Sequence, residues 1–394
     1  MALPAAPAAQ AQNRLPALGD TASEDFNLGT ERRIGDQIMR EIRRDPAYSD
    51  DPVLAEYLQS VFRPLVAAAR RRGEIGPDLE TRFAWEPFLV RDRSVNAFAL
   101  PGGYIGVHMG LIAMTSTRDE LASVLAHELS HVTQRHIARS ISNSRRQSLI
   151  GVAATIVGIL AASRSNNADV ANAAIAGGQA AAIQGQLNFS RDMEREADRI
   201  GFGIMTDAGF APGGMAAMFE KLSQSSRLND SGGFPYLRSH PLTTERIGEA
   251  RARLGTAAPN APASVLEHAA AQARARVLMD ARHEALRRWQ SRDADGAQGS
   301  TADKLAAAYE SALASTLLRE WPRADASLQK AQALVSQGAP LADSRAQRAV
   351  ALLVVESMLA RGDAARAEQA PLCGRTVQAG RAAVGPRRPG AHRR

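Results

Sequence analysis

The sequence predicts a mainly α-helical protein of α+β type, in which a helical domain with a small β-sheet precedes a second helical region. Three observations carry this. A strongly helical run from Leu121 to Val132 holds two histidines four residues apart. Two stretches, Phe83 to Val90 and Ala97 to Val107, alternate or run apolar between Gly and Pro, as strands do. Beyond about Pro262 the chain is Ala-rich and almost wholly helical in pattern. The 394 residues, 45% of them hydrophobic, allow two to three domains and a sizeable core.

Residues 1–24 begin Met1-Ala2-Leu3-Pro4 and reach a small-x-small site at Ala9-Gln10-Ala11. They read as the end of a secretory signal without its basic and long apolar parts, or as a flexible Ala/Pro-rich terminus. Thr30 to Arg72 shows helical periodicity through Ile34, Ile38, Ile42, Leu54, Leu58, Val61 and Leu65, and is expected to pack around the helix of Leu121 to Val132. Asn96, just ahead of the second strand stretch, is a candidate to hydrogen-bond the main chain of an extended partner, or a plain turn residue.

The helix of Leu121 to Val132 contains His127-Glu128-Leu129-Ser130-His131. Helical positions four apart share a face, so both imidazoles can reach one ion. Glu128 beside them has the chemistry of a general base. Leu121, Leu125, Leu129 and Val132 give the helix an apolar side, and Thr117-Arg118-Asp119-Glu120 reads as its capping box. A catalytic zinc usually takes three protein ligands. Ser190 to Gly201 offers the third on another helical pattern, where Glu194 and Asp198 are again four apart. Glu196 competes with Glu194 on spacing alone. Asp198 suits the outer role of holding a ligand histidine's ring N–H.

Leu149 to Ala162 is apolar but shorter than the roughly 20 residues a membrane span needs. It reads either as a buried hairpin or as a mobile flap that touches membrane or unfolded substrate, a peripheral membrane contact. Gly209 to Leu222 resembles a capped helix, Ser225 to Gly233 a polar loop, and Thr256 to Pro262 a linker. In the helical region, Ala312 and Ala324-x-x-x-Leu328-x-x-Ala331 match the two helices of a tetratricopeptide unit. Gly362-Asp363-x-x-x-Ala367 looks like the next turn. The pattern stops near Ala370. The tail from 371 is expected to be basic and disordered.

That tail decides the charge argument. The net charge is +7, from 48 basic and 41 acidic residues. The tail holds six arginines and no acid, which leaves 42 basic residues for the body. Nucleic-acid binding is therefore excluded as a reading. The one cysteine, Cys373, permits no disulfide within a chain.

His127-Glu128-x-x-His131 followed by Glu194-x-x-x-Asp198 resembles the gluzincin metallopeptidases, and more narrowly the family of HtpX and the CAAX prenyl protease. Val95 to Gly103 is similar to that family's strand and turn beside the active site. Ser239-His240-Pro241 and Arg246 are similar to its downstream pair. The resemblance covers about residues 25–255 and implies a minigluzincin-type fold with one zinc per chain. It implies ligands His127, His131 and Glu194, general base Glu128, and Asp198 behind a ligand. His240 and Arg246 would stabilise the oxyanion, or His240 would close the resting site as a fourth ligand. Asn96 would bind substrate main chain. Members with helical repeats behind the peptidase domain imply a periplasmic endopeptidase of unfolded or misassembled outer-membrane proteins, docking on the β-barrel assembly machinery. They also favour the truncated-signal reading of the terminus. The alternative is a non-enzymatic chaperone acting through its repeats. The expected domains are 25–255 for the peptidase, 263–370 for the tetratricopeptide-like region and 371–394 for the tail.

Overall fold

The structure, a computed structural model, describes residues 27–143, 191–228, 234–254, 265–295, 299–336 and 343–370. The expectations for 1–24, Leu149 to Ala162, the 256–262 linker and the 371–394 tail lie outside the described residues. Among those residues the order is α1 (Leu28–Ile42), β1 (Tyr48–Ser49), α2 (Pro52–Arg71), α3 (Pro77–Arg82), β2 (Glu86–Val90), β3 (Ala97–Leu100), β4 (Tyr104–His108), α4 (Met109–Met114), α5 (Arg118–Thr133) and α6 (His136–Asn143). There follow α7 (Arg191–Asp207), α8 (Gly213–Leu228), α9 (Pro235–Ser239), α10 (Thr244–Leu254) and α11 (Val265–Leu278). The last set is α12 (His283–Gln290), α13 (Arg292–Asp295), α14 (Thr301–Leu317), α15 (Trp321–Ser336), α16 (Ser344–Ala360) and α17 (Ala364–Gln369). The mainly helical class with a small sheet is borne out.

The sheet order is β1-β2-β4-β3, with β2 and β4 parallel and the other pairs antiparallel. The second strand stretch is a hairpin, because Gly102 and Gly103 both take left-handed φ at its turn. β1 falls inside the stretch expected to be helical. Asp45-Pro46 ends α1, and the short segment behind it pairs with β2. β3 lies at the sheet edge and packs on α5.

Every residue of α5 is buried, not only its apolar side. Several of its polar side chains are paired across to other elements. Arg118 Nη1 donates to Glu267 Oε2 at 2.7 Å, and Asp119 Oδ1 accepts from Ala211 N at 2.9 Å. The cap differs from the expected box by one residue. Thr117 Oγ1 accepts from Glu120 N, but Glu120 Oε2 accepts from Ser116 N rather than Thr117 N. α8 continues to Leu228, so the polar loop begins later than Ser225.

α11 touches both helical sets. Ala271 and Ala275 belong to the core around α5, while Ala269, Ala270, Ala273 and Val277 belong to the core of the C-terminal helices. Polar contacts fasten it. Arg274 makes two bonds to Asp51 at 2.6 and 2.7 Å, and Tyr57 Oη meets His268 Nδ1 at 2.6 Å. In the C-terminal set, α14 and α15 form the first expected helix pair, burying Ala312, Ala324, Leu328 and Ala331. No helix of the described residues is long and apolar enough to cross a membrane.

Glu31 of α1 is 2% exposed, with Arg135 Nε at 3.2 Å from its carboxylate. Burial outweighs Arg135 and pushes this carboxyl up to about 7 from the usual 4.5. Between those values the folded chain holds a proton the unfolded chain has lost, so stability falls as pH rises. Glu31→Gln should remove that fall. Urea titrations should show the variant gaining on the parent between pH 5 and pH 8; a constant difference would show that Glu31 is not the source.

Candidate metal centre

α5 carries His127, Glu128 and His131 within about one turn. α7 crosses it closely at Gly201, where a Cβ would lie 3.1 Å from the Ala126 carbonyl and the His127 nitrogen. Glu194, Asp198 and Gly201 stand at i, i+4 and i+7 on one face. The glycine contact therefore turns both carboxylates toward the histidines. His240 follows the short α9, its N–H bonded to Tyr236 O at 2.9 Å. Its ring stacks on Tyr236 with centroids 4.7 Å apart. Tyr236 N in turn reaches Val95 O, just before the edge strand, at 3.3 Å.

His127, His131, Glu194 and His240, all buried, bring ligand atoms within 4.8 Å of one another. His127 Nε2 lies 3.0 Å from His131 Nε2 and 3.3 Å from His240 Nδ1. Glu194 Oε2 lies 3.4 Å from His127 Nε2. Glu194 Oε1 lies 3.4 Å from His131 Nε2 and 2.9 Å from His240 Nδ1. Four donors at about 2.0–2.1 Å around a tetrahedral ion stand about 3.3–3.4 Å apart. The set fits a metal ion of that size. Glu128 is wholly buried on the same turn, and neither carboxylate oxygen has a hydrogen-bond partner in the structure. Its Oε1 is 3.4 Å from His240 Nε2.

Asp198 and Arg246 stand behind this set. His127 Nδ1 is 2.9 Å from Asp198 Oδ1. Arg246, 3% exposed, grips Asp198 through Nε and Nη2 at 2.7 and 2.8 Å. Its Nη1 donates to Pro241 O at 2.8 Å and lies 2.8 Å from Glu194 Oε2. The guanidinium expected at an oxyanion is thus turned onto two carboxylates, because those are the charges buried beside it. Asn96 is half-buried directly before β3; its carbonyl accepts from His108 N at 3.0 Å. Glu196, the spacing rival of Glu194, faces His136 instead, at 3.0 Å. His136 and Tyr236 were not singled out in the sequence. For His136 the available signal was a third histidine five positions beyond His131.

Electrostatics follow from this packing. Burial would lower the His127 pKa, but Glu194 and Asp198 outweigh it and raise it to about 10 without a metal. Burial holds His131 well below its ordinary value and brings His136 down to about 4. Burial would raise Glu194, yet His240 and His127 hold it far below the carboxylate range. An ion must displace a proton from His127, so metal affinity should rise with pH.

Residues 52–254, just over half of the chain, match the model of Peptidase family M48. The chain belongs to peptidase family M48. This is the family expected from the four motifs. Among its relatives is the beta-barrel assembly-enhancing protease of Escherichia coli K12, 34% identical over 251 residues, 64% of this chain and 49% of that protein. The Yersinia pestis protein of the same name is 34% identical over 264 residues, 67% of this chain and 52% of that protein. The mitochondrial metalloendopeptidase OMA1 of Saccharomyces cerevisiae is 31% identical over 197 residues, 48% of this chain and 53% of that protein. The chain spans about half the length of these curated relatives. Within the M48 domain, the buried His/Glu cluster fits a metallopeptidase.

Proposed function

We propose that this M48 chain is a zinc-dependent endopeptidase acting on unfolded or misassembled proteins of the periplasm, those of the outer membrane included. The observation that carries the reading is Glu128, a buried carboxylate without a hydrogen-bond partner, set beside four converging ligand atoms. A structural site has no need of such a group, whereas a hydrolase needs a base there.

His127, His131 and Glu194 hold the metal in this reading, with Asp198 fixing the His127 ring. When bound, zinc supplies Lewis-acid polarisation of the scissile carbonyl and acidifies water. Glu128 takes the proton of the attacking water and passes it to the leaving amine. Arg246 positions Asp198 and Glu194 through the contacts described above. β3, paired on one side with β4, offers its other edge to an extended substrate backbone, with Asn96 at its start. Main-chain pairing makes little demand on side chains and so suits unfolded chains. The relatives named for β-barrel assembly support the outer-membrane substrate class and a docking partner in that machinery.

His240 is proposed as the fourth ligand of a resting site that opens when substrate arrives. Its Nδ1 lies among the ligand atoms. His240→Ala should then raise basal casein cleavage several-fold; a variant that only slows cleavage would leave His240 with an oxyanion role alone. The reading as a whole is tested by casein digestion that stops with a chelator and returns with zinc. Digestion indifferent to the chelator would refute it. A second reading, a non-enzymatic assembly factor, rests on the C-terminal helix pair α14 and α15 behind the peptidase domain. A Glu128→Gln chain that restores outer-membrane assembly in cells lacking the protein would support it.

A further inference from the structure

We propose that His136 and Glu196 form a relay that holds the His131 ring in the tautomer and orientation with which it binds the metal. This makes His136 a positioning residue, and it rests on the reading of His131 as a ligand. His131 Nε2 faces the ligand cluster, 3.0 Å from His127 Nε2 and 3.4 Å from Glu194 Oε1. The other nitrogen of that ring, Nδ1, is 2.8 Å from His136 Nδ1. On the far side, His136 Nε2 is 3.0 Å from Glu196 Oε2, which also accepts from Arg139 Nη1 at 2.9 Å.

One assignment of protons satisfies all of these contacts. His131 needs a bare Nε2 to bind an ion, so its proton is on Nδ1 and is donated to His136 Nδ1. His136 then carries its proton on Nε2 and donates it to Glu196, whose charge Arg139 balances. Both rings are wholly buried, so an unanswered ring nitrogen would be costly there.

The backbone is bent to make this contact. In an uninterrupted helix, a residue five positions past His131 would sit about 140° round from it. Instead α5 ends at Thr133 with Gln134 as its cap, Arg135 takes a φ of 53°, and α6 starts at His136. A left-handed conformation is unfavourable for a residue with a side chain. The Arg135 side chain donates to Glu31 Oε2 at 3.2 Å. The result parallels the other ligand histidine. His127 leans on Asp198 and Arg246, and His131 leans on His136, Glu196 and Arg139. It also accounts for Glu196, which is engaged in holding a ligand and not in being one.

The test is the zinc affinity of the full chain, stripped with a chelator and titrated with zinc against a chromophoric competitor. His136→Phe fills the space but accepts no proton, and should weaken zinc binding about 10–100-fold. His136→Gln can accept from His131 and donate to Glu196, and should stay within about threefold of the parent. In zinc-free, 15N-histidine-labelled protein the parent should hold the His131 ring proton on Nδ1, a preference lost in the Phe variant and kept in the Gln variant. A Phe variant that binds zinc as tightly as the parent, or a Gln variant as weak as Phe, overturns the relay. A parent that binds no zinc overturns the metal reading and the relay together. Should the Phe variant fail to fold, Glu196→Ala decides: several-fold weaker zinc binding supports the relay, and parental affinity overturns it.

Discussion

Glu128→Gln should keep its metal and lose casein cleavage by about 10²–10⁴-fold, the usual contribution of a positioned general base. The substitution keeps the side chain's size. Neither oxygen of Glu128 has a hydrogen-bond partner, and its 3.4 Å contact with His240 Nε2 can be kept by the amide oxygen. Zinc content and melting temperature should therefore match the parent while cleavage collapses. Cleavage within about tenfold of the parent would remove Glu128 from the proton transfers and leave the carrying observation unexplained.

Arg246→Met should be the most destabilising single change at the centre. The guanidinium stands against Asp198 and Glu194, which are 0% and 2% exposed. Removing one partner of a buried ion pair typically costs about 3–5 kcal/mol, because the other charge is left uncompensated. The pH dependence has a definite sign. Burial would raise Asp198, but Arg246 and His127 hold it below the ordinary 3.8. Asp198 thus adds stability above that value, and the contribution is lost as pH falls through the depressed folded pKa. Without Arg246 the burial effect dominates, and acid protonates a carboxylate that no longer has its partner. Urea unfolding in chelator should show the largest gap between parent and variant near pH 7, narrowing toward pH 4. A gap that stays constant with pH would place the loss in packing rather than in the ion pair.

The parts of the centre that repeat at helical spacing were legible in the sequence. His127 and His131, and Glu194 and Asp198, are each one turn apart, and the helix supplies their geometry directly. His240 and Arg246 were found through resemblance, because nothing in a His-Pro turn or a lone Arg points to a distant helix. Spacing alone left Glu194 and Glu196 as rivals; the family resemblance chose Glu194, and the fold gives the physical reason. Glu194 meets the ligand rings, and Glu196, two positions on, meets His136. The strand Tyr48–Ser49 was hidden because two residues are too few for an alternating pattern. α11 was placed with the C-terminal helices, yet its small residues serve two cores on opposite faces, and an Ala-rich stretch shows no preferred side. The left-handed φ of Arg135 has no mark in the sequence, since glycine is the usual residue there.

The central claim is that His127, His131 and Glu194, with His240 at rest, surround one zinc ion. Zinc-edge X-ray absorption on the purified full chain tests it most directly. The account predicts about one zinc per chain, four nitrogen and oxygen neighbours at about 2.0–2.1 Å, and the outer-shell scattering of imidazole rings. His240→Ala should lose one ring's share of that scattering and His127→Ala should lose the metal. A chain without stoichiometric zinc, or a spectrum unchanged by both substitutions, would contradict it.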